Sequence, residues 1–130
     1  MKALGKKEST QQYLLARLCM AKQFIDDNLI QECSVAQLAK EVRLSEFHFS
    51  RCFKEVFGMS PYQYYLTRKI HCSAELLTRP GMDLTGVSLE MGFSELSTFS
   101  KRFKKVYGMA PLQYKKSVLF SQAQQEKLSD

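Results

Sequence analysis

Two side chains able to bind metal or act as nucleophiles, His48 and Cys52, stand four residues apart. On a helix that spacing puts both on one face, and an imidazole beside a thiolate is half of a zinc site. Nothing in the sequence supplies the other half. The remaining cysteines, Cys19, Cys33 and Cys72, are widely spaced and form no C-x2-C pair, so a zinc ribbon or dithiol motif is not supported. The four cysteines read as reduced thiols acting as small hydrophobes. A redox role for Cys52, which follows a basic residue, is the weaker alternative. There are two histidines, no Ser/His/Asp set and no Gly-rich phosphate loop. The expectation is therefore no enzyme, no catalytic residue, no cofactor and no metal.

A second kind of chemistry occurs twice. Phe49-Ser50-Arg51-Cys52-Phe53-Lys54 returns fifty residues later as Phe99-Ser100-Lys101-Arg102-Phe103-Lys104. Across the sixteen residues from Phe49 to Tyr64 and from Phe99 to Tyr114, ten positions are identical. Upstream, Ser34–Glu46 pairs with Asp83–Glu95 at an offset of 49, with one residue inserted between Glu95 and Phe99. Two copies are too few for a solenoid, so this is a duplicated supersecondary unit. At helical periodicity Phe49, Phe53 and Val56 fall within about 60° of one another, as do Phe99, Phe103 and Val106, and that face must bury. The opposite faces carry Phe47, Ser50, Arg51 and Lys54 in the first copy and Ser97, Ser100, Lys101 and Lys104 in the second. Hydroxyls and cations, with no acid among them, suit a helix laid in a DNA major groove.

The elements that must position these faces are helical. Ser34 with Gln37 forms a capping box before Val35, Leu38, Ala39 and Val42. Ser45 caps a second helix that Gly58 ends. In the second copy Asp83 caps the first helix, Gly92 makes the turn, Ser94 caps the next helix and Gly108 ends it. An N-terminal helix spans about residues 10–29, with Leu14, Leu15, Leu18, Phe24 and Ile25 on or near one face. Ser60-Pro61-Tyr62-Gln63 opens a central helix to about Thr78, which Arg79-Pro80-Gly81 breaks. Ala110-Pro111 opens a last helix to about Leu119. The fold class expected is all-α: about seven helices, in two helix-turn-helix subdomains (10–59 and 80–119) joined by a central linking helix (60–79). Residues 1–9 and 120–130 are expected to be flexible ends.

Charge agrees with a nucleic-acid partner. Nineteen Lys and Arg against thirteen Asp and Glu give +6, and the pI is near 9.2, in the range of nucleic-acid-binding domains. No apolar run approaches the roughly 20 residues of a membrane span, and the basic start has no apolar segment of a secretory signal after it. The chain is expected to be cytoplasmic, at the nucleoid, without membrane association.

These motifs resemble the DNA-binding region of the AraC/XylS family of bacterial transcription regulators over about residues 11–118. The likeness rests on Leu38-Ala39, Ser45, Phe49 to Lys54, Gly58-Met59-Ser60-Pro61 and Tyr64 in the first copy, and on Arg68-Lys69-Ile70, Ala74 and Leu77 in the central helix. In the second copy it rests on Val87, Gly92-Phe93, Phe99, Phe103-Lys104, Gly108, Pro111 and Tyr114. Ser88 departs from the family's usual alanine, and Leu96 is apolar where some members carry a polar base-reading side chain. The resemblance implies a bilobed helical fold with both recognition helices in adjacent major grooves. It places base-reading positions on Phe47, Ser50 and Arg51, then Leu96, Ser97, Ser100 and Lys101. Lys54, Thr98, Arg102, Lys104 and Lys105 are the expected phosphate contacts, and Lys115 and Lys116 are further candidates.

The expected function is a sequence-specific double-stranded-DNA-binding transcription regulator, one monomer reading an asymmetric site of about 20 base pairs. RNA polymerase would be a partner if the protein activates, and a sensor or dimerisation domain a further one if this is a fragment. A helical protein-interaction module without DNA binding is the alternative from another class.

Overall fold

A computed structural model of the chain describes residues 2–31 and 34–129, with side chains over residues 10–31 and 34–128. Cys33 lies outside the described residues, as do Met1 and Asp130. Among the described residues there are seven helices and no strand: α1 (Lys2–Asp27), α2 (Val35–Glu41), α3 (Glu46–Phe57), α4 (Pro61–Leu77), α5 (Leu84–Glu90), α6 (Leu96–Tyr107) and α7 (Pro111–Ser129). The chain divides into two compact units, Met1–Tyr65 and Leu66–Asp130. The central helix expected as a linker at 60–79 is thus shared out: the start of α4 belongs to the first unit and the rest to the second.

In the first unit α1, α2 and α3 pack on one another. Leu18, Ala21 and Ile25 supply the buried stripe of α1 and Leu29 extends it into the following turn, Leu38, Ala39 and Val42 supply that of the α2 segment, and Phe49 and Phe53 that of α3. The α1 stripe differs from the sequence reading, because Leu15 and Phe24 are exposed. They lie to either side of the buried stripe, where Ala21 takes an inner position. The core of α3 is aromatic: the Phe49 and Phe53 rings meet edge-on at 5.7 Å, and Phe53 also contacts Phe57 at 4.6 Å and Tyr64 at 5.8 Å. The start of α4 is tied back by hydroxyls. Tyr64 donates to the Asp26 carboxylate at 2.8 Å, and Tyr65 donates to the Gln31 carbonyl at 2.9 Å.

The second unit repeats the plan around Val87, Met91, Phe93, Phe99 and Phe103, all buried. Phe99 contacts Phe93 at 5.2 Å and Phe103 at 5.9 Å, and Phe103 stacks on Tyr107 at 4.8 Å and meets Tyr114 edge-on at 5.4 Å. From α4, Lys69 places its ammonium 5.6 Å from the Phe93 ring centre, and His71 meets Tyr107 at 5.9 Å. Burial, with Arg68 nearby, lowers the His71 pKa against an opposing effect of Glu75. Burial also raises that of Tyr107. Lys115 donates to the Met82 carbonyl at 2.6 Å. This contact anchors α7 to the loop before α5.

The segments expected as flexible ends, 1–9 and 120–130, are helical over residues 2–9 and 120–129, continuous with α1 and α7. Residues 121–128 are exposed throughout. The run is rich in good helix formers such as Gln, Ala, Glu, Lys and Leu, which favours the helical form.

The turns after α2 and α5 share one backbone design. Leu44 N–H donates to Ala39 O and Arg43 N–H to Lys40 O, and Phe93 N–H to Ser88 O and Gly92 N–H to Leu89 O. These paired bonds are the Schellman motif, whose C′ residue is left-handed. Gly92 takes that place at φ 83°, but in the first unit it falls to Arg43 at φ 58°. A side chain in this region costs about 1–2 kcal/mol, so the first turn is strained where the second is relaxed. Gly92→Ala should destabilise the protein by about 1 kcal/mol, and Arg43→Gly should be neutral or stabilising by up to about 1 kcal/mol. Urea unfolding at equilibrium checks both; a destabilising Arg43→Gly would remove strain as the explanation.

Candidate nucleic-acid interface

α3 and α6 are matched elements of twelve residues. Both begin from an extended residue and both end at a left-handed glycine, Gly58 at φ 82° and Gly108 at φ 76°, whose N–H donates to Lys54 O and Lys104 O respectively. Their first residues, Glu46 and Leu96, lie fifty apart. The inserted residue, which the sequence match placed between Glu95 and Phe99, therefore falls in the turn before α6 and leaves the helix unchanged: four residues separate Glu41 from Glu46, and five separate Glu90 from Leu96.

This register fixes the matching of the two faces. Phe47 corresponds to Ser97, Ser50 to Ser100, Arg51 to Lys101 and Lys54 to Lys104. Leu96 corresponds to Glu46 at the first helical position. The insertion also changes the cap. Ser45 caps α3 by accepting from His48 N–H at 3.2 Å. The cap of α6 is Glu95, with no side-chain hydrogen bond; Ser94, expected to cap this helix, sits one residue too early in the longer turn.

Burial separates the two sides of each helix. Phe49, Phe53, Phe99 and Phe103 are fully buried. Opposite them Phe47 is 77% exposed, so it does not fold back against α2. Arg51 and Lys54 are exposed and Ser50 half-buried; Leu96, Ser97, Thr98 and Lys101 are exposed and Ser100 half-buried. Among the expected phosphate contacts Lys104 and Lys105 are exposed and Arg102 half-buried. Phe47, Ser50, Arg51 and Lys54 thus share the face of α3 opposite its buried rings, as Ser97, Ser100, Lys101 and Lys104 do in α6, while Leu96, Thr98, Arg102 and Lys105 lie to the flanks of that face. Val56 was expected in the buried stripe but is 47% exposed. Cys52, one turn earlier on the same flank of the stripe, is buried instead.

One feature of α3 was not anticipated. The reading of a face without acids overlooks Glu55, whose Oε1 lies 3.3 Å from Arg51 Nε. The signal was present as an acid one helical turn after the arginine. His48 and Cys52 do meet, with Nδ1 3.6 Å from Sγ. Among the described residues no group of three metal-ligating side chains forms, and no helix is long and apolar enough to cross a membrane.

With this geometry in place, comparison with known proteins is specific. A family model described as a helix-turn-helix domain matches residues 38–117. The chain belongs to this helix-turn-helix family, and its likeness to the AraC type extends to curated relatives and solved structures. LumQ, a probable transcriptional regulator of Photobacterium leiognathi, is 31% identical over 76 residues, which are 58% of this chain and 31% of that protein. The virulence regulon transcriptional activator VirF of Yersinia enterocolitica is 28% identical over 78 residues, 60% of this chain and 29% of VirF. The matched segment is therefore under a third of either relative's length.

Among solved structures, an AraC-type transcriptional regulator from Chromobacterium violaceum superposes with a TM-score of 0.73 at 24% identity, covering 78% of this chain and 91% of that one. The DNA-binding domain of AdpA, solved with a target DNA, gives 0.70 at 22% identity, covering 77% and 90%. These two establish the shared fold.

The caps generate a contrast between the helices. Ser45→Ala should cost about 1 kcal/mol through loss of the α3 cap, while Ser94→Ala should change stability by less than about 0.5 kcal/mol. Thermal unfolding of the two variants tests this, and equal losses would contradict the register given for α6.

Proposed function

We propose that this chain is the DNA-reading part of a transcription regulator, with α3 and α6 as recognition helices entering successive major grooves. The observation that carries the reading is the duplicated helix itself. Twice, two fully buried phenylalanines one turn apart turn a hydroxyl and two cations outward, as Ser50, Arg51 and Lys54 and as Ser100, Lys101 and Lys104. A solvated surface has no need to repeat that set, whereas a duplex offers the same groove once per turn of about 10 base pairs. The family, the curated regulators among its relatives and the DNA complex of AdpA support the same reading.

The roles follow from side-chain chemistry. Arg51, with a planar fork of donors, suits bidentate contact with guanine O6 and N7. Lys101 reaches the same atoms as a point charge and discriminates less. Phe47 and Leu96 offer apolar surface to thymine methyls, and Ser50, Ser97 and Ser100 hydrogen-bond at base edges or backbone. Lys54, Thr98, Arg102, Lys104 and Lys105 grip phosphates, which position the helices without reading sequence. The copies follow one another head to tail in the chain, so the site read is asymmetric and about 20 base pairs long. The setting is the bacterial cytoplasm, at the chromosome. Where the regulator activates, RNA polymerase is a further partner. The relatives extend well beyond the matched segment, which leaves room in those proteins for a sensor or dimerisation domain.

Binding to a duplex selected from a random-sequence pool, followed by fluorescence anisotropy at two or more salt concentrations, tests these roles. Arg51→Ala should cost about 1–3 kcal/mol on the selected site and relax preference at one base position. Lys104→Ala should weaken binding to all sequences alike and make the log–log salt slope shallower by about 1. Salt-insensitive binding, or none, would overturn the proposal.

A further inference from the structure

The two recognition helices match closely, yet they part sharply at one position. Four residues after Arg51, α3 carries Glu55; four residues after Lys101, α6 carries Lys105. In α3 the Glu55 carboxylate accepts from Arg51 Nε at 3.3 Å, and the two side chains are 69% and 64% exposed. A pair this open to water adds little to stability. Its effect is on geometry. Arginine has five N–H donors in a rigid fork, and engaging Nε leaves the two terminal amino groups, a pair able to span guanine O6 and N7.

An arginine already held in place also loses less side-chain freedom when it binds. The carboxylate has a second effect, because near DNA it repels phosphate and lowers affinity for every sequence. Lys105 does the reverse: it cannot bind Lys101, and it adds a cation beside the backbone.

We infer that Glu55 is a specificity-determining positioning residue, which holds Arg51 through Nε and presents its terminal amino groups to a guanine edge. It lowers overall affinity while raising discrimination in the first unit, and Lys105 gives the second unit the opposite balance. The inference rests on the reading of Arg51 as a base contact.

The test uses a duplex selected from a random pool by the unmodified chain, together with its single-base-pair variants and one random duplex. Dissociation constants are measured for the unmodified chain, Glu55→Gln, Arg51→Ala and the double variant. Glu55→Gln should bind the random duplex more tightly and lose about two- to fivefold of its discrimination at the base pair that Arg51 reads, the range expected of an exposed ion pair. Preference at other positions should be unchanged, and in the Arg51→Ala background Glu55→Gln should leave discrimination unaltered. A merely structural role would move all sequences together and shift the thermal unfolding midpoint.

Unchanged discrimination in Glu55→Gln, a loss spread evenly over the site, or a loss that persists without Arg51 would each overturn the inference. If Arg51→Ala itself weakens all sequences alike, the base-contact reading fails and this inference fails with it. A base-selective Arg51→Ala with an unaltered Glu55→Gln overturns the positioning role alone.

Discussion

Everything that faces outward on α3 and α6 depends on which side of each helix is buried, and two phenylalanines per helix settle that. Phe49 and Phe53, like Phe99 and Phe103, are fully excluded from solvent and occupy positions four apart, one above the other on a helix. Each large ring contributes on the order of 1.5–3 kcal/mol when buried. Rotating the helix to hide the cationic face instead would forfeit both rings and desolvate two charges. Flanking elements follow from the same constraint. Tyr64 and Tyr114, at the starts of α4 and α7, close on Phe53 and Phe103 respectively, and Gly58 and Gly108 end the helices where those tyrosines must return.

Much of this was legible in the sequence because local chemistry and packing agree. The capping box of Ser34 with Gln37 and that of Ser60 with Gln63 both form as their spacing dictates. Asp83 caps α5 by accepting from Gly86 N–H. Where the sequence misled, a competing local solution took over. Ser94 looked like the counterpart of Ser45, but the inserted residue lengthens the turn and passes the cap to Glu95. Val56 shares a flank with Phe49, yet Cys52, one turn earlier on that same flank, is the one that buries. Arg43 in a left-handed conformation was invisible, because the paired bonds of the turn impose it on a residue that does not favour it. Glu55 was visible as an acid, and only its hydrogen bond to Arg51 gives it a role.

The two units share a plan and differ in chemistry. The first combines an exposed aromatic at Phe47 with an arginine held by a carboxylate, and the second offers serines, a threonine and a run of cations. Such a division suits a reader that takes most of its sequence information from one half-site and most of its electrostatic grip from the other. Both contributions are needed, since phosphate contacts hold a helix in register for base contacts to act.

The central claim is that the exposed faces of both helices lie in major grooves. Methylation interference tests it directly, because methylation at guanine N7 marks the major groove and at adenine N3 the minor. On a selected duplex the account predicts two clusters of interfering guanines about 10 base pairs apart, with no interference at adenine N3 within them. A single cluster would leave one unit without a groove, and interference confined to adenine N3 would contradict the account outright.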